Sequence, residues 1–251
     1  MLLPPPSNIL LYGKGVFTTI RIAREEPLFW DKHWTRLGRD SGKVGIDLSE
    51  FSETRVFEAL KQEIASSGVS DGRARITLVD QRSGNIWPTE TEQNTTMWIL
   101  VGERRPLPSK FRITASPYRL NTFSPLAGIK SCNYLENLMA AEEAKNRGFH
   151  EAVRINERAE VTSAAMANVF WLKDGVLYTP SLATGCLAGT TREFILENLD
   201  CREVEAGIEE LSSADAIYLT SAGLGIVAVD EFERCKLPNP PHQITKLLTL
   251  N

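Results

Sequence analysis

Lys130 is the residue whose neighbours best prepare it for covalent chemistry. It follows the apolar run Leu126-Ala127-Gly128-Ile129 and precedes Ser131-Cys132, where the chain reads as the start of a helix. An amine flanked by Ile129 and Cys132 loses part of its hydration, which disfavours the ammonium and favours a free base able to form a Schiff base with a carbonyl. Most lysines are solvated point charges, so the position alone does not establish that role. Other chemistries have less support. Gly13-Lys14-Gly15 lacks the upstream glycine and the following hydroxyl of a nucleotide-binding loop. His33, His150 and His242 lie far apart, and Cys132, Cys186, Cys201 and Cys235 show neither metal-ligand nor redox-pair spacing. Buried free thiols are expected, and no metal site is. A net charge of −4, with arginines spread among acids, gives no basic footprint for nucleic acid and leaves a small molecule as the expected partner.

The elements that must position Lys130 fall into two groups. The chain has 251 residues, enough for two modest domains with their own cores. No apolar run approaches a membrane span, and the Met1–Pro6 stretch has no basic region and is broken by prolines, so no signal peptide is expected and the cytoplasm is the expected compartment. Asn8 to Trp30 reads as two or three antiparallel strands. Asp31 reads as the N-cap of a helix carrying Trp34, Leu37 and Ser41 on one face, ended by Gly42 and Gly45. A second helix over about 50–66 has Phe51, Val56, Phe57, Leu60 and Ile64 on its inner stripe and Gly68 as its stop. Strands follow at 73–79 and 96–101, joined by a loop around Arg82-Ser83-Gly84-Asn85. The Arg104–Pro108 stretch, with two prolines and paired charges, is the expected boundary between domains 1–105 and 106–251. Beyond it, 111–116 reads as a strand, and 131–147 as a helix with Leu135, Leu138, Met139 and Glu142 at helical spacing. Short strands then come at 151–155, 168–173, 176–178, 201–204, 216–220 and 225–229. Asp174-Gly175 marks a hairpin, and helices cover 191–198, 208–211 and 243–250. The fold class expected is α+β: a small α/β sandwich domain, then a larger, strand-rich, barrel-like one carrying the lysine.

Four segments, in order, resemble the fold-type IV pyridoxal-phosphate enzymes, the group that holds branched-chain and D-amino-acid aminotransferases and aminodeoxychorismate lyases. The lysine segment of that family is similar to Gly128-Ile129-Lys130-Ser131-Cys132-Asn133-Tyr134-Leu135-Glu136-Asn137, and its first core strand to Gly13–Arg21. His33-Trp34-Thr35-Arg36-Leu37 resembles its phosphate-arginine helix, and Gly185–Arg192 its phosphate-cup turn. The resemblance spans residues 12 to about 230 and implies pyridoxal 5'-phosphate as cofactor, a small-molecule amine as substrate, and a homodimer. It makes Lys130 the attachment point and proton carrier, and Arg36 a phosphate ligand whose guanidinium fork suits phosphate oxygens. Gly189, Thr190 and Thr191 complete the clamp, with backbone N–H groups at a helix start. Tyr134 or Asn133 is implied near the ring hydroxyl, Ser221 in a late phosphate-contacting turn where Ala222 replaces the usual hydroxyl residue, and Phe17 and Thr19 along the substrate pocket.

The chain departs from this family at one position. Most members place a glutamate five residues before the asparagine of an Asn-hydrophobic-Phe strand, to meet the pyridine nitrogen. Here that strand is Asn168-Val169-Phe170, and five residues back stands Ser163; Glu160 lies eight back. Ser163 is the favoured partner, because Val161-Thr162 then aligns with the family's Val-Thr pair. Phe17-Thr18-Thr19 and Leu135-Glu136 resemble the lyase branch more than the branched-chain one. The expected activity is a lyase converting 4-amino-4-deoxychorismate to 4-aminobenzoate and pyruvate, with an aminotransferase as the alternative and a non-catalytic cofactor-binding protein as a third reading.

Overall fold

A computed structural model describes residues 7–82, 94–104 and 106–248 of the chain. The opening prolines, the 83–85 turn, Arg105 and the last residues of the expected 243–250 helix lie outside them. The chain divides into two units, one formed by Met1–Arg105 with Ile129–Tyr134 and the other by Pro106–Gly128 with Leu135–Asn251. The segment bearing Lys130 therefore groups with the first unit, which corrects its expected place in the second domain.

In the first unit, α1 (Asn8–Tyr12) leads into β1 (Gly15–Ala23), β2 (Glu26–Pro27), α2 (Trp30–Val44), α3 (Glu53–Ser67), β3 (Asp71–Asp80) and β4 (Thr95–Glu103). The expected strand at Asn8 is a short helix closed by Gly13, a short apolar run being unable by itself to distinguish the two. The strands form one antiparallel sheet in the order β2-β1-β3-β4. Alternation sends Val16, Ile20 and Ile22 of β1 and Ala74, Ile76 and Leu78 of β3 into a core with Val56, Leu60 and Ile64 of α3 and Leu37 of α2. Ser52 caps α3 by accepting from the Arg55 N–H. Asp31 is not the cap of α2: Phe29 holds that place with a left-handed backbone, and Asp31 falls in the first turn, where a carboxylate complements the helix dipole. Gly42 lies inside α2 and Gly45 ends it. The face of α2 turned inward carries His33, Arg36, Leu37, Asp40 and Ser41, all buried. Ionisable groups are costly to bury without partners, so this face is built for something other than packing.

The second unit contains β5 (Arg112–Ala115), α4 (Leu135–Asn146), β6 (Glu151–Ile155), β7 (Val161–Ala164), β8 (Asn168–Lys173), β9 (Val176–Pro180), α5 (Thr190–Asn198), β10 (Arg202–Val204), α6 (Ile208–Ser212), β11 (Ala216–Ser221), β12 (Gly225–Ala228), β13 (Glu231–Phe232) and β14 (Cys235–Lys236). They make two five-stranded sheets, ordered β10-β9-β8-β11-β12 and β14-β13-β5-β6-β7. A core of Ile113, Val153, Val161, Val169, Trp171, Ile217, Leu219 and Val229 draws on both sheets. The Asp174-Gly175 hairpin forms with φ of 50° and 75°, as a two-residue turn between twisted strands requires. The α+β class thus holds. The helix expected after Lys130 forms as α4, with its larger apolar residues turned outward: Leu135, Leu138 and Met139 are 67%, 46% and 44% exposed, while Ala140, Ala141 and Ala144 are buried. Small side chains let this helix lie close to its neighbours and turn its larger apolar residues outward. The C-terminal helix is a single short turn, Gln243–Lys246.

Candidate active site around Lys130

Residues 130–134 are not the start of a helix, because their backbone pairs with β1 instead. The Phe17 N–H donates to the Lys130 carbonyl at 2.9 Å, the Cys132 N–H donates to the Gly15 carbonyl at 2.8 Å, and Ser131 sits opposite Val16. A Cβ at Gly15 would lie 2.9 Å from both the Cys132 sulfur and the Leu78 carbonyl oxygen, so only glycine permits this approach. From the other side, the Lys130 N–H donates to Asp40 Oδ2 at 3.0 Å. The lysine backbone is thus tied to both β1 and α2. Its side chain runs along an aromatic wall: Nζ is 4.5 Å from the centroid of Phe17 and 4.8 Å from that of Tyr134, and it donates to the Tyr134 hydroxyl at 3.2 Å. Phe17 and Tyr134 meet edge to face at 5.1 Å.

Of Tyr134 and Asn133, the two residues implied near the ring hydroxyl, Tyr134 is the one that reaches the Lys130 amine. Asn133 turns away and donates to the Gly13 carbonyl at 3.0 Å. Thr19 is half-buried and paired with Arg75 across β1 and β3. Arg75 was missed in the sequence. Its guanidinium carbon lies 3.6 Å from the Phe17 ring centroid, on the sheet face that odd-numbered residues share. The signal lay in alternation, which places Phe17, Thr19, Arg75 and Thr77 on one side. Arg36 is 6% exposed, and its Nη2 donates to Thr18 Oγ1 at 2.8 Å.

Cations gathered around a desolvated amine lower its proton affinity. Burial, then the charges of Arg36 and Arg75, push Lys130 down to about 7, against the weaker opposing pull of Asp40. Lys130 therefore spends much of its time at neutral pH as the free amine that nucleophilic or base chemistry needs. Labelling of Lys130 by an amine-directed aldehyde should rise between pH 6 and 8, because the reactive form appears on deprotonation, and then level off. A solvated lysine, with a pKa of about 10.4, would keep gaining reactivity beyond pH 9. Peptide-resolved labelling of the cofactor-free protein against pH checks this.

The remaining candidates lie in the second unit. Glu160 accepts from Arg158 Nη2 at 2.8 Å and from Asn156 Nδ2 at 2.7 Å, and these contacts hold its carboxyl below the usual range. Ser163, in β7, is half-buried and faces Arg154 across the β6–β7 pair. Thr190 and Thr191 open α5 and are buried, with Gly189 as the cap residue. Asn168 donates to the Leu187 carbonyl at 2.8 Å, and its Oδ1 lies 2.0 Å from where a Gly189 Cβ would stand, so the turn into α5 admits no side chain there. Ser221 is already engaged, accepting from the Leu224 N–H at 3.1 Å. Its neighbour Thr220, opposite Asn168 in the β8–β11 pair, is 1% exposed, and among the described residues its hydroxyl has no hydrogen-bond partner. A buried orphan hydroxyl beside a helix start suits an incoming anion. Within the first unit, a lysine amine with a lowered pKa and a buried arginine fit a phosphorylated aldehyde cofactor.

Comparison with known proteins agrees with that chemistry. The family model described as amino-transferase class IV matches residues 15–232. The chain is 30% identical over 257 residues to the aminodeoxychorismate lyase of Bacillus subtilis (strain 168), covering 99% of this chain and 87% of that protein. It is 29% identical over 234 residues to the D-alanine aminotransferase of Bacillus licheniformis, covering 88% and 80%. The crystal structure of 4-amino-4-deoxychorismate lyase from Pseudomonas aeruginosa superposes with a TM-score of 0.85 at 23% identity, over 98% of this chain and 93% of that one, a likeness of fold.

Proposed function

This chain belongs to the class IV aminotransferase family of pyridoxal 5'-phosphate enzymes, and from that premise we propose that it is a lyase cleaving 4-amino-4-deoxychorismate to 4-aminobenzoate and pyruvate. The observation that carries the choice is the match to a lyase over nearly the whole chain, joined by a serine where most family members are expected to have a glutamate. When bound, the cofactor supplies a carbonyl for amine exchange and a ring that withdraws electrons from the amine-bearing carbon. Lys130, free of its proton near pH 7, takes the proton from that carbon. The Tyr134 hydroxyl holds Nζ in line beside the Phe17 ring. As the family resemblance implies, Arg36 would hold the phosphate, Thr190, Thr191 and Ser221 or its neighbour Thr220 would serve as further donors, and Phe17 and Thr19 would border the substrate. Return of the proton to the enolpyruvyl methylene releases pyruvate, and the substrate ring becomes aromatic.

Of the two candidates for the pyridine nitrogen, Glu160 is already held by Arg158 and Asn156, which supports Ser163. A hydroxyl there leaves the nitrogen largely unprotonated. That penalises transamination, which must store electrons in the ring, more than elimination, where aromatisation removes them. Ser163→Glu should raise transamination relative to elimination by about tenfold, the factor that accompanies ~1.4 kcal/mol of selective stabilisation. Product ratios from the two assays check it. The aminotransferase alternative is favoured by the D-alanine aminotransferase relative. Incubating the loaded protein with aminodeoxychorismate, and separately with L- and D-amino acids, decides between them: pyruvate with 4-aminobenzoate supports the lyase, and rapid keto-acid formation the transaminase.

The protein is proposed to work as a homodimer. Leu135, Leu138 and Met139 on α4, and Trp98 and Leu100 on β4, are exposed apolar residues that a second copy would cover. The cytoplasm is the proposed compartment, in keeping with four cysteines that are free thiols.

A further inference from the structure

Thr18 occupies a place where strand alternation calls for an apolar side chain. It lies between Val16 and Ile20 on the core face of β1, opposite Ile76 of β3, and is 1% exposed. A hydroxyl in that position must satisfy itself within the protein. It does so with two residues of α2: Oγ1 accepts from Arg36 Nη2 at 2.8 Å and lies 2.6 Å from His33 Nδ1. Arginine can only donate, which leaves the Thr18 proton available to the imidazole. That arrangement needs a bare Nδ1 and places the ring proton on Nε2. Independently, burial and the charges of Arg36 and Lys130 hold His33 well below its ordinary pKa, in the state that can accept. A β-branched side chain on a strand has few rotamers, so the hydroxyl has a defined direction.

We propose that Thr18 is a positioning residue for the phosphate-binding arginine: one hydroxyl, accepting from Arg36 and donating to His33, fixes the direction of the guanidinium and the tautomer of the imidazole together. The inference rests on the cofactor reading above.

Thr18→Val keeps the shape and β-branching and removes the hydroxyl; Thr18→Ser keeps the hydroxyl. Each variant and the wild type, stripped of cofactor, should be titrated with pyridoxal 5'-phosphate and with pyridoxal, which lacks the phosphate. Loss of a hydrogen bond to a charged group predicts about tenfold weaker binding of the phosphate ester by T18V, unchanged binding of pyridoxal, and T18S within about twofold of wild type. Nitrogen NMR of the His33 ring in the cofactor-free proteins should show a bare Nδ1 in wild type and T18S, and a shift toward mixed tautomers in T18V. Equal weakening of both ligands in T18V, or weakening of neither, would overturn the proposal. Equal affinity of the wild type for the two ligands would remove the phosphate role from Arg36 and the inference with it. The His33 ring signals identify that case, because they report the hydrogen bond without any cofactor present.

Discussion

Lys130→Ala should lower turnover by at least about a thousandfold, since it removes both the attachment point and the positioned base, and base catalysis alone is commonly worth 10²–10⁴. Lys130→Arg should fare no better, because a guanidinium keeps its proton at any working pH. Borohydride treatment of the loaded wild type should fix the cofactor on the peptide containing Lys130. Lys173 provides the internal contrast: Glu210 lies 2.9 Å from its amine and raises its pKa, so it stays an ammonium. A label mapped to Lys173, or no label at all, would remove the central assignment. The alanine variant should fold as well as the wild type. Below pH 7 the wild-type chain must hold a charged amine beside Arg36 and Arg75, a cost that the variant escapes. Thermal unfolding of both cofactor-free proteins at pH 6 checks this second half.

Arg36→Met should weaken binding of pyridoxal 5'-phosphate roughly ten- to a hundredfold, the equivalent of about 1.5–3 kcal/mol for a charge-assisted bond. Methionine fills most of the volume that the buried arginine occupies, so the packing of α2 on the sheet survives and the effect falls on the ligand. Binding of pyridoxal without its phosphate should change little. Arg36 is reached from β1 through Thr18, which is why its loss should also disturb the His33 ring. An unchanged cofactor titration would return Arg36 to a purely structural role.

How much of this was legible in the sequence differs between elements. The alternation of β1 and β3, the stripe of α3, its stop at Gly68 and the Asp174-Gly175 hairpin are local properties, and local rules found them. Helical spacing found α4, but a one-dimensional pattern cannot say which of its two faces has a neighbour. The inward face is made of alanines, and the residues that look like a core are the exposed ones. Lys130 was identified from its apolar approach and from family resemblance, yet its expected helix is an extended segment held against β1 by contacts more than a hundred residues apart in the chain. Arg75 and Thr18 gave no motif. Each matters only because strand pairing puts it on a particular face, Arg75 beside Phe17 and Thr18 beneath Arg36.

Residue types, together with the resemblance of four ordered segments to a known family, thus pointed to the groups expected to do chemistry here: one lysine able to become a free amine, one arginine suited to a phosphate, and a serine in place of the family's usual glutamate. The amount by which that lysine is changed was decided only by the tertiary structure. A pKa near 7 arises because strand pairing and the packing of α2 bring Arg36 and Arg75, from separate elements, close to an amine screened from water. Coulomb energy depends on distance through space and on the polarity of what lies between, and neither is a property of position along a chain.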